Sequence, residues 1–348
     1  MNASLETPLV AVVTPVYNGS PWLERTMACV QAQTYPNLVH VVLDNASTDD
    51  TPQVIARFQG GRAPIVTRRN PALLPQVPNW NAAVAMTPPD ARYVKFLAAD
   101  DLIREDGIAK LTAAAERDPA IDFVTSEDLF LDKAQPHGVA AHETILDGRD
   151  YLTRCMRGEA GWLAATHVFF RATPDRLKDP FLADFHPLMD MEFIFRSLLE
   201  RKMAFVHEPL TFTRYTEGSI TAASGGFRSF IPINFALFMR YGPSVLSAEE
   251  FERRRKQGLA LVLRHLTHWL ASGDTKNAAS ALRVLAANKQ TPKAAAYLAA
   301  LASWPAHKLF KGQKARGGSQ AHVNEEAFSK AWAELVAKGA TVPAATNA

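Results

Sequence analysis

Short apolar runs that end in polar residues dominate the first third of the chain. The runs at 9–14, 38–43 and 92–97 are rich in Val and Leu and are bounded by polar or turn residues, a pattern typical of buried β-strands. Helix-like segments separate these runs, so the pattern predicts a doubly wound α/β sheet. Mostly acidic residues follow the runs, which places ligand-binding groups at the carboxyl edge of the sheet.

Three helices are predicted between these strands. The first begins at Ser20, which can cap it, and Leu23, Met27 and Val30 fall on one face. A second is predicted over 51–58 with Asp50 or Thr51 as its cap, and a third over 79–86. Strand, helix, strand, helix, strand is the order expected of parallel strands joined by helical crossovers.

Further elements are predicted beyond residue 100, and the residue composition of the chain changes after about residue 225. We predict helices over 106–117 and 188–201, strands over 121–126, 163–171, 204–207 and 210–214, and an irregular polar stretch over 127–150. Helices over 247–271, 274–288 and 292–303 then predict a helical appendage. The predicted domains are a main α/β domain (1–225), the appendage (226–310), and a linker, short helix and tail (311–348).

Length and composition limit the class of protein. The chain has 348 residues, of which 47% are hydrophobic, enough for a sizeable core and more than one domain. The net charge of +3 gives no global field that would indicate a nucleic acid as partner. Cys29 and Cys155 form no metal or disulfide framework, which favours a reducing compartment.

The sequence predicts a soluble, cytoplasmic protein. Residues 1–7 carry no basic cluster, and the apolar run that follows them is too short for a signal peptide. No stretch approaches the roughly 20 apolar residues of a membrane-spanning helix. The basic residues at 253–256 and 308–316 are expected on solvated surfaces, and attraction to the inner face of an anionic membrane is the alternative.

Acidic residues at two predicted strand ends are candidates for ligand binding. Asp44 at the end of the second strand is placed to accept hydrogen bonds from a nucleoside, whereas Asp49 and Asp50 are better read as helix caps. Asp100 is a candidate ligand for Mg²⁺ or Mn²⁺, with a diphosphate supplying further oxygens, and Asp101 is expected to cap the next helix or turn.

Other candidates have alternative interpretations. Residues two apart do not share a helix face, so Asp190 can enter a site while Glu192 pairs elsewhere, for example with Arg196. Arg214 can clamp phosphate or form a salt bridge at a strand end. The histidines without metal-ligand spacing are read as ordinary polar residues: His167, His186 and His207.

Several motifs, in order, resemble those of the family 2 glycosyltransferases, whose catalytic domain has the GT-A fold. Thr14-Pro15-Val16-Tyr17-Asn18 resembles the opening loop that contacts the nucleoside, and Gln33-Thr34-Tyr35-Pro36 resembles a helix end of the family. The segment 44–51 is similar to Asp-x-x-Ser-x-Asp-x-Thr, whose leading acid contacts the base. Asn79-Trp80-Asn81 resembles a helix start found in one branch, and the resemblance covers about residues 8–222.

The chain departs from the family pattern at two positions. Leu97-Ala98-Ala99-Asp100-Asp101 aligns with the Asp-x-Asp-Asp metal motif, but Ala98 replaces the aspartate that usually contacts ribose. The segment 214–219 resembles an Arg-x-His-x-x-Ser loop with Thr216 in place of histidine. Asp190 aligns with the catalytic base of the family.

The resemblance implies an inverting glycosyltransferase that uses Mg²⁺ or Mn²⁺ and moves a sugar from a nucleotide diphosphate sugar to an acceptor hydroxyl. A UDP-sugar is the first choice of donor, and a saccharide or lipid-linked molecule is the implied acceptor, in bacterial surface polysaccharide or glycoconjugate synthesis. Asp190 would be the general base and Asp100 the metal ligand. The nucleotide-binding residues that it implies are Pro15, Tyr17, Asn18, Asp44, Asn81, Asp100 and Arg214.

The family resemblance leaves several points open. Acceptor selection is expected in the region 127–187, and the helical appendage can mediate self-association. A degenerate, non-catalytic nucleotide-sugar-binding module is an alternative, because Ala98 and Thr216 erode the pattern. A nucleotidyltransferase is disfavoured, because the loop after the first strand has no lysine or arginine before Arg25.

Overall fold

The computed structural model describes residues 7–130, 133–134, 137–161, 163–214 and 227–290. These residues fall into two compact units. The first contains 7–183 and 189–214, and the second contains 184–188 and 227–290. The predicted domain boundary at 225, the loop after Arg214, the third appendage helix, the linker and the basic residues 308–316 lie outside the described residues.

The first unit is built on one mixed sheet. Its spatial order is β3-β2-β1-β4-β9-β6-β10-β5, with β7 beside β6 and β8 beside β10. The strands are β1 (Val10–Val16), β2 (Leu38–Asp44), β3 (Ile65–Arg69), β4 (Tyr93–Phe96), β5 (Leu102–Ile103), β6 (Ile121–Phe130), β7 (Lys133–Ala134), β8 (Ile145–Asp147), β9 (Phe169–Arg171) and β10 (Lys202–Thr213).

Parallel pairing joins the long strands of this sheet. β1 pairs in parallel with β2 and β4, β2 with β3, and β6 with β10. β9 runs antiparallel to both of its neighbours, β4 and β6, and thereby joins two parallel groups that point the same way. The α/β fold predicted from the apolar runs is therefore confirmed.

The helices of the first unit follow the strands closely. They are α1 (Ser20–Gln31), α2 (Thr51–Arg57), α3 (Gln76–Val84), α4 (Gly107–Ala115), α5 (Gly148–Arg157), α6 (Pro174–Leu177) and α7 (Met189–Leu198). Leu23, Met27 and Val30 of α1 are buried as predicted. Leu23 and Met27 share a core cluster with Val42 of β2 and Val54 of α2, which fixes these helices against the sheet.

Two predictions about β-structure need correction, and one strand was missed. The region 127–150 is not irregular, because β6 continues to Phe130 and β8 and the start of α5 lie within it. The two strands predicted over 204–214 form one strand, β10, whose register against β6 shifts around Pro209. β3 was not predicted, because its outer residues are mostly exposed and give no apolar run.

The capping predictions are confirmed for Asp49 and wrong for Ser20, Asp50 and Thr51. Ser20 and Thr51 are the first residues of their helices, and the Asp50 side chain makes no capping bond. The Asp49 carboxylate accepts hydrogen bonds from the amides of Ser20 at 3.0 Å and Thr51 at 3.0 Å. One side chain therefore serves the starts of both α1 and α2.

The second unit contains three described helices, α8 (Ile231–Val245), α9 (Ala248–Ser272) and α10 (Thr275–Ala287). The first two helices predicted for the appendage agree with α9 and α10. Leu266 and Trp269 of α9 and Ala281 and Leu285 of α10 are buried. Among the described residues, no helix combines the length and apolar character needed to cross a bilayer.

Candidate active site

The carboxyl ends of the parallel strands place most of the predicted site residues at one edge of the sheet. Asp44 ends β2 and lies in register with Val16, the last residue of β1. Asp100 follows β4 by four residues, and Arg214 follows β10 directly. Because β1, β2, β4 and β10 point the same way, these three side chains belong to the same edge.

Asp44 is a buried carboxylate with two protein partners. One oxygen accepts a hydrogen bond from the Ser47 amide at 2.9 Å, and the other lies 2.6 Å from a guanidinium nitrogen of Arg69. The same guanidinium donates to the Ser47 carbonyl at 2.7 Å, and half of its side chain is exposed. Sequence reasoning missed Arg69, although a pair of arginines after Ile65-Val66-Thr67 was a visible signal.

The loop after β1 is tied to the loop after β2. Asn18 has a positive φ of 49°, its amide donates to the Ser47 hydroxyl at 2.9 Å, and its side-chain oxygen accepts from the Thr48 amide at 2.8 Å. Tyr17 is 46% exposed, so its ring is available to a ligand, whereas Pro15 is buried within β1. The two loops therefore form a connected rim beside Asp44.

Asp101 is held by backbone and side-chain donors and does not cap a helix. Its carboxylate accepts hydrogen bonds from the Thr166 hydroxyl and, at 2.9 Å, from the Arg214 amide. The Thr26 hydroxyl contacts the carbonyls of Ala99 and Asp101, each at 2.9 Å. Burial, together with the neighbouring charge of Asp100, raises the pKa of Asp101 well above its usual range.

Asp100 and Arg214 lie together at this edge. The Arg214 side chain donates to the Asp100 carbonyl at 3.2 Å, and its guanidinium lies 4.2 Å from the centre of the Trp22 ring. Burial raises the pKa of Asp100, and the positive charge of Arg214 opposes that rise. Sequence reasoning missed Trp22, because its position in α1 does not reveal that it faces the end of β10.

Asp190 lies in the first turn of α7 and is almost fully buried. Burial raises its pKa to about 6, although its carboxylate accepts hydrogen bonds from the backbone of Met191 and Ala165. Glu192 is fully buried and forms an ion pair with Arg196 at 3.2 Å, so the predicted pairing of Glu192 is confirmed. The two acidic residues of this helix therefore differ in their surroundings as expected.

A short turn, Ala165–His167, connects Asp190 with Asp101. Ala165 contributes the backbone hydrogen bond to Asp190, and Thr166 contributes the hydroxyl bonded to Asp101. The buried Lys95 ammonium donates to the Thr166 carbonyl. Consecutive residues of one turn thus contact the carboxylate of the candidate base and a carboxylate adjacent to Asp100.

Asn81 lies in α3 and not at the strand edge. Its side-chain amide donates to the Phe181 carbonyl at 3.0 Å, and its side-chain oxygen accepts from the Phe181 amide at 2.9 Å. Phe181 packs against Trp80 and Phe96, with ring centres 5.4 and 5.5 Å apart. These contacts hold the segment before α7 against the sheet, and a nucleotide contact of Asn81 stays a prediction.

His167, interpreted from the sequence as an ordinary polar residue, lies in a buried polar cluster. Its Nδ1 accepts from the Ala164 amide at 2.9 Å, and its Nε2 lies 3.1 Å from Asp128. His137 lies 2.6 Å from the other oxygen of Asp128, and both histidines are buried. Asp128 thereby holds His167, the last residue of the turn Ala165–His167.

Among the described residues, Asp100 is the candidate ligand for a divalent metal. Within the described ranges, no cluster of three or more His, Cys, Asp or Glu side chains could hold a metal ion. Asp101 is occupied by Thr166 and Arg214, which leaves Asp100 as the carboxylate of the metal motif. One carboxylate fits Mg²⁺ or Mn²⁺ when a bound diphosphate supplies other oxygens.

Comparison with known proteins agrees with this geometry. The sequence profile of the family described as Glycosyl transferase family 2 matches residues 11–155. A glycosyltransferase of Bacillus subtilis named for teichuronic acid biosynthesis, TuaG, is 33% identical over 121 residues, which are 33% of this chain and 46% of TuaG. The chain thus spans about half the length of that relative.

Solved structures share the fold at low sequence identity. TarS 1–349 of S. aureus in complex with UDP-GlcNAc is similar with a TM-score of 0.58 and 15% identity, over 82% of each chain. The mannosyltransferase PcManGT of Pyrobaculum calidifontis, in complex with GDP-Man and Mn²⁺, is similar with a TM-score of 0.51 and 18% identity, over 96% of this chain and 87% of that one. The fold of the described residues is thus that of these solved structures, and residues 11–155, less than half of the chain, match the sequence profile of glycosyl transferase family 2.

Proposed function

We propose that this chain is an inverting, metal-dependent glycosyltransferase that uses a nucleotide diphosphate sugar. The position of Asp190 carries the proposal. Its buried carboxylate has a pKa raised to about 6 and accepts a hydrogen bond from the turn Ala165–His167. Thr166 of the same turn donates a hydrogen bond to Asp101, the neighbour of Asp100. A carboxylate with such a pKa is mostly ionised at neutral pH and is a stronger base than an exposed one.

Each of these residues has a proposed role in the reaction. Asp190 takes the proton of the acceptor hydroxyl as its oxygen attacks the anomeric carbon, and a single displacement of this kind inverts the configuration. Asp44, Tyr17 and Asn18 bind the nucleoside, and Arg214 orients the diphosphate. Asp100 would hold Mg²⁺ or Mn²⁺, which stabilises negative charge on the departing diphosphate.

A UDP-sugar is the proposed donor and a saccharide or lipid-linked hydroxyl the proposed acceptor. The donor is supported by the UDP-GlcNAc bound to TarS, and the acceptor class by the naming of TuaG for teichuronic acid biosynthesis. Residues 1–225 would form the catalytic domain, acting in the cytoplasm or at the inner face of the membrane in bacterial surface glycan synthesis.

Two aspartates of the first unit offer a matched test of this proposal. We expect Asp190→Asn to lower the rate of sugar transfer by at least about 100-fold, since a general base contributes that much. Binding of the donor should be nearly unchanged, as measured by the rise in melting temperature with UDP-, GDP-, dTDP- and CMP-sugars with and without Mn²⁺. Asp175→Asn, in which the residue is exposed on α6, is the control and should transfer at the wild-type rate.

The outcome separates catalysis from binding alone. Wild-type turnover by Asp190→Asn would refute the role of Asp190. A wild-type protein that binds a donor but neither transfers nor hydrolyses it would instead indicate the non-catalytic binding module, to which Ala98 in the metal motif points.

A further inference from the structure

The turn Ala165–His167 separates two groups of acidic residues that must keep a fixed relative position. On one side is Asp190, in the first turn of α7, and on the other are Asp100 and Asp101, after β4. These segments are about 90 residues apart in sequence, and no strand pairing joins them directly. The turn contacts both of them through neighbouring residues.

We propose that Thr166 is a positioning residue that sets the geometry of the candidate base relative to the metal-motif strand end. Its hydroxyl donates to Asp101, and its own backbone is one peptide away from the Ala165 group that bonds to Asp190. The inference rests on the proposed function, because it assigns a role within the same reaction.

The surroundings of Thr166 leave its side chain little freedom to shift. Thr166 is 1% exposed, its carbonyl accepts from the buried Lys95, and the next residue, His167, is held by Asp128. The other oxygen of Asp101 is bonded to the Arg214 amide at 2.9 Å, so Thr166 also shares an acceptor with the end of β10. Loss of the hydroxyl would leave one oxygen of a buried carboxylate without its donor.

A buried carboxylate that has lost one donor moves toward another. That movement shifts the backbone at Asp100 and Asp101 relative to the turn, and a displacement of about 1 Å far from the reacting atoms can cost on the order of 100-fold in rate. The rim at Asp44 and Asn18, which is assigned to the nucleoside, is not touched by this change, whereas Asp100 and Arg214 are assigned to the diphosphate. The expected defect is therefore larger in kcat than in KM for the donor.

A graded series at one position tests this inference. Thr166→Val keeps the shape and removes the hydroxyl, Thr166→Cys offers a weak donor, and Thr166→Ser restores a hydroxyl. We expect kcat of Thr166→Val to fall about 10- to 100-fold, with a smaller rise in KM for the UDP-sugar. Thr166→Ser should come within about three-fold of wild type, and Thr166→Cys should lie between.

A second readout is the pH profile of kcat. If the turn shifts in Thr166→Val, the Asp190 carboxylate loses the donor at Ala165, its pKa rises, and the acidic limb of the profile moves to higher pH. Thr267→Val is the control, because Thr267 is a buried threonine of α9 whose hydroxyl bonds only within its helix, to Leu263 at 2.9 Å. That variant should change the melting temperature without changing kcat or the pH profile.

Three results would overturn the inference. The first is wild-type kcat in a folded Thr166→Val protein, whatever its melting temperature. The second is a Thr166→Ser protein as slow as Thr166→Val, and the third, where Thr166→Val does not fold, is equal rates for the serine and cysteine variants. If the wild type transfers no sugar, the proposed function fails instead. The inference is then decided by the Asp190 pKa measured by carbon NMR, which must rise in the cysteine or valine variant.

Discussion

At the scale of single residues, the aspartates of the candidate site differ in the groups that contact their carboxylates. Asp44 has Arg69 and the Ser47 amide, and Asp101 has Thr166 and the Arg214 amide. Asp190 has backbone donors but no cation among its hydrogen-bond partners in the described part of the chain, so burial dominates its titration. Its environment resembles that of a general base more than that of a structural ion pair.

The pKa of Asp190 predicts the pH dependence of the reaction. A base must be ionised to act, so we expect kcat to rise with pH through about 6 and to level off above it. The measurement is kcat at saturating donor between pH 4.5 and 8.5. A flat profile across that range would contradict the assignment.

The same residue should reduce stability at neutral pH. Its folded pKa of about 6 lies above the unfolded value near 3.9, so the ionised form costs about 3 kcal/mol of folding free energy above pH 6. This cost disappears as the pH falls below about 4, where both states are protonated. Urea unfolding should therefore show Asp190→Asn to be more stable than wild type at pH 8, with the difference shrinking toward pH 4.

Strand-end acids are predictable from sequence, whereas their partners are not. Asp44 and Asp100 follow apolar runs that parallel strands require, so their edge could be deduced from local pattern. Arg69 comes from an exposed strand and Thr166 from a short turn, and neither has a periodic signal. Their contacts depend on the order of strands in the sheet, which the local pattern does not determine.

At the scale of elements, buried polar residues explain most errors of strand and helix prediction. β6 was cut short at Ser126 because Glu127 and Asp128 look like loop residues, yet Asp128 is buried against His137 and His167. Glu208-Pro209 suggested a break in β10, where the strand only shifts register. Asp49 was predicted as a cap, but its contact with the start of α1 was missed, because Asp49 is distant in sequence from that helix.

The shared cap gives a prediction for these elements. Asp49→Ala removes acceptors from the starts of α1 and α2, and we expect a loss of about 1–2 kcal/mol in the free energy of unfolding. Asp50→Ala is the control, since its side chain makes no capping bond, and should change stability by less than about 0.5 kcal/mol. Equal losses in the two variants, measured by urea unfolding, would contradict this interpretation.

At the scale of the whole molecule, the residues assigned to the donor belong to the first unit alone. Asp44, Asp100 and Arg214 lie within 7–183 and 189–214, and the second unit has a core of its own around Leu266 and Trp269. A change in that second core should therefore alter stability without altering the nucleotide site.

A core substitution in each unit tests this division. Leu266→Ala removes a fully buried side chain and should cost about 2–5 kcal/mol in the second unit. We expect the dissociation constant for UDP, measured by calorimetry well below the melting temperature, to stay within about two-fold of wild type. Leu23→Ala, beside the loop that bears Tyr17, is the comparison and should weaken UDP binding more.

The segment between β6 and β9 has a consequence for where this protein tolerates change in its sequence. It stays attached to the sheet, because β7 pairs with β6 and β8 pairs with β10 before Ala165–His167 leads into β9, between β4 and β6. The segment is therefore held at its start, middle and end. An exchange of the exposed residues 140–142, which lie between these pairings, should change the surface there and leave the order of strands in the sheet intact.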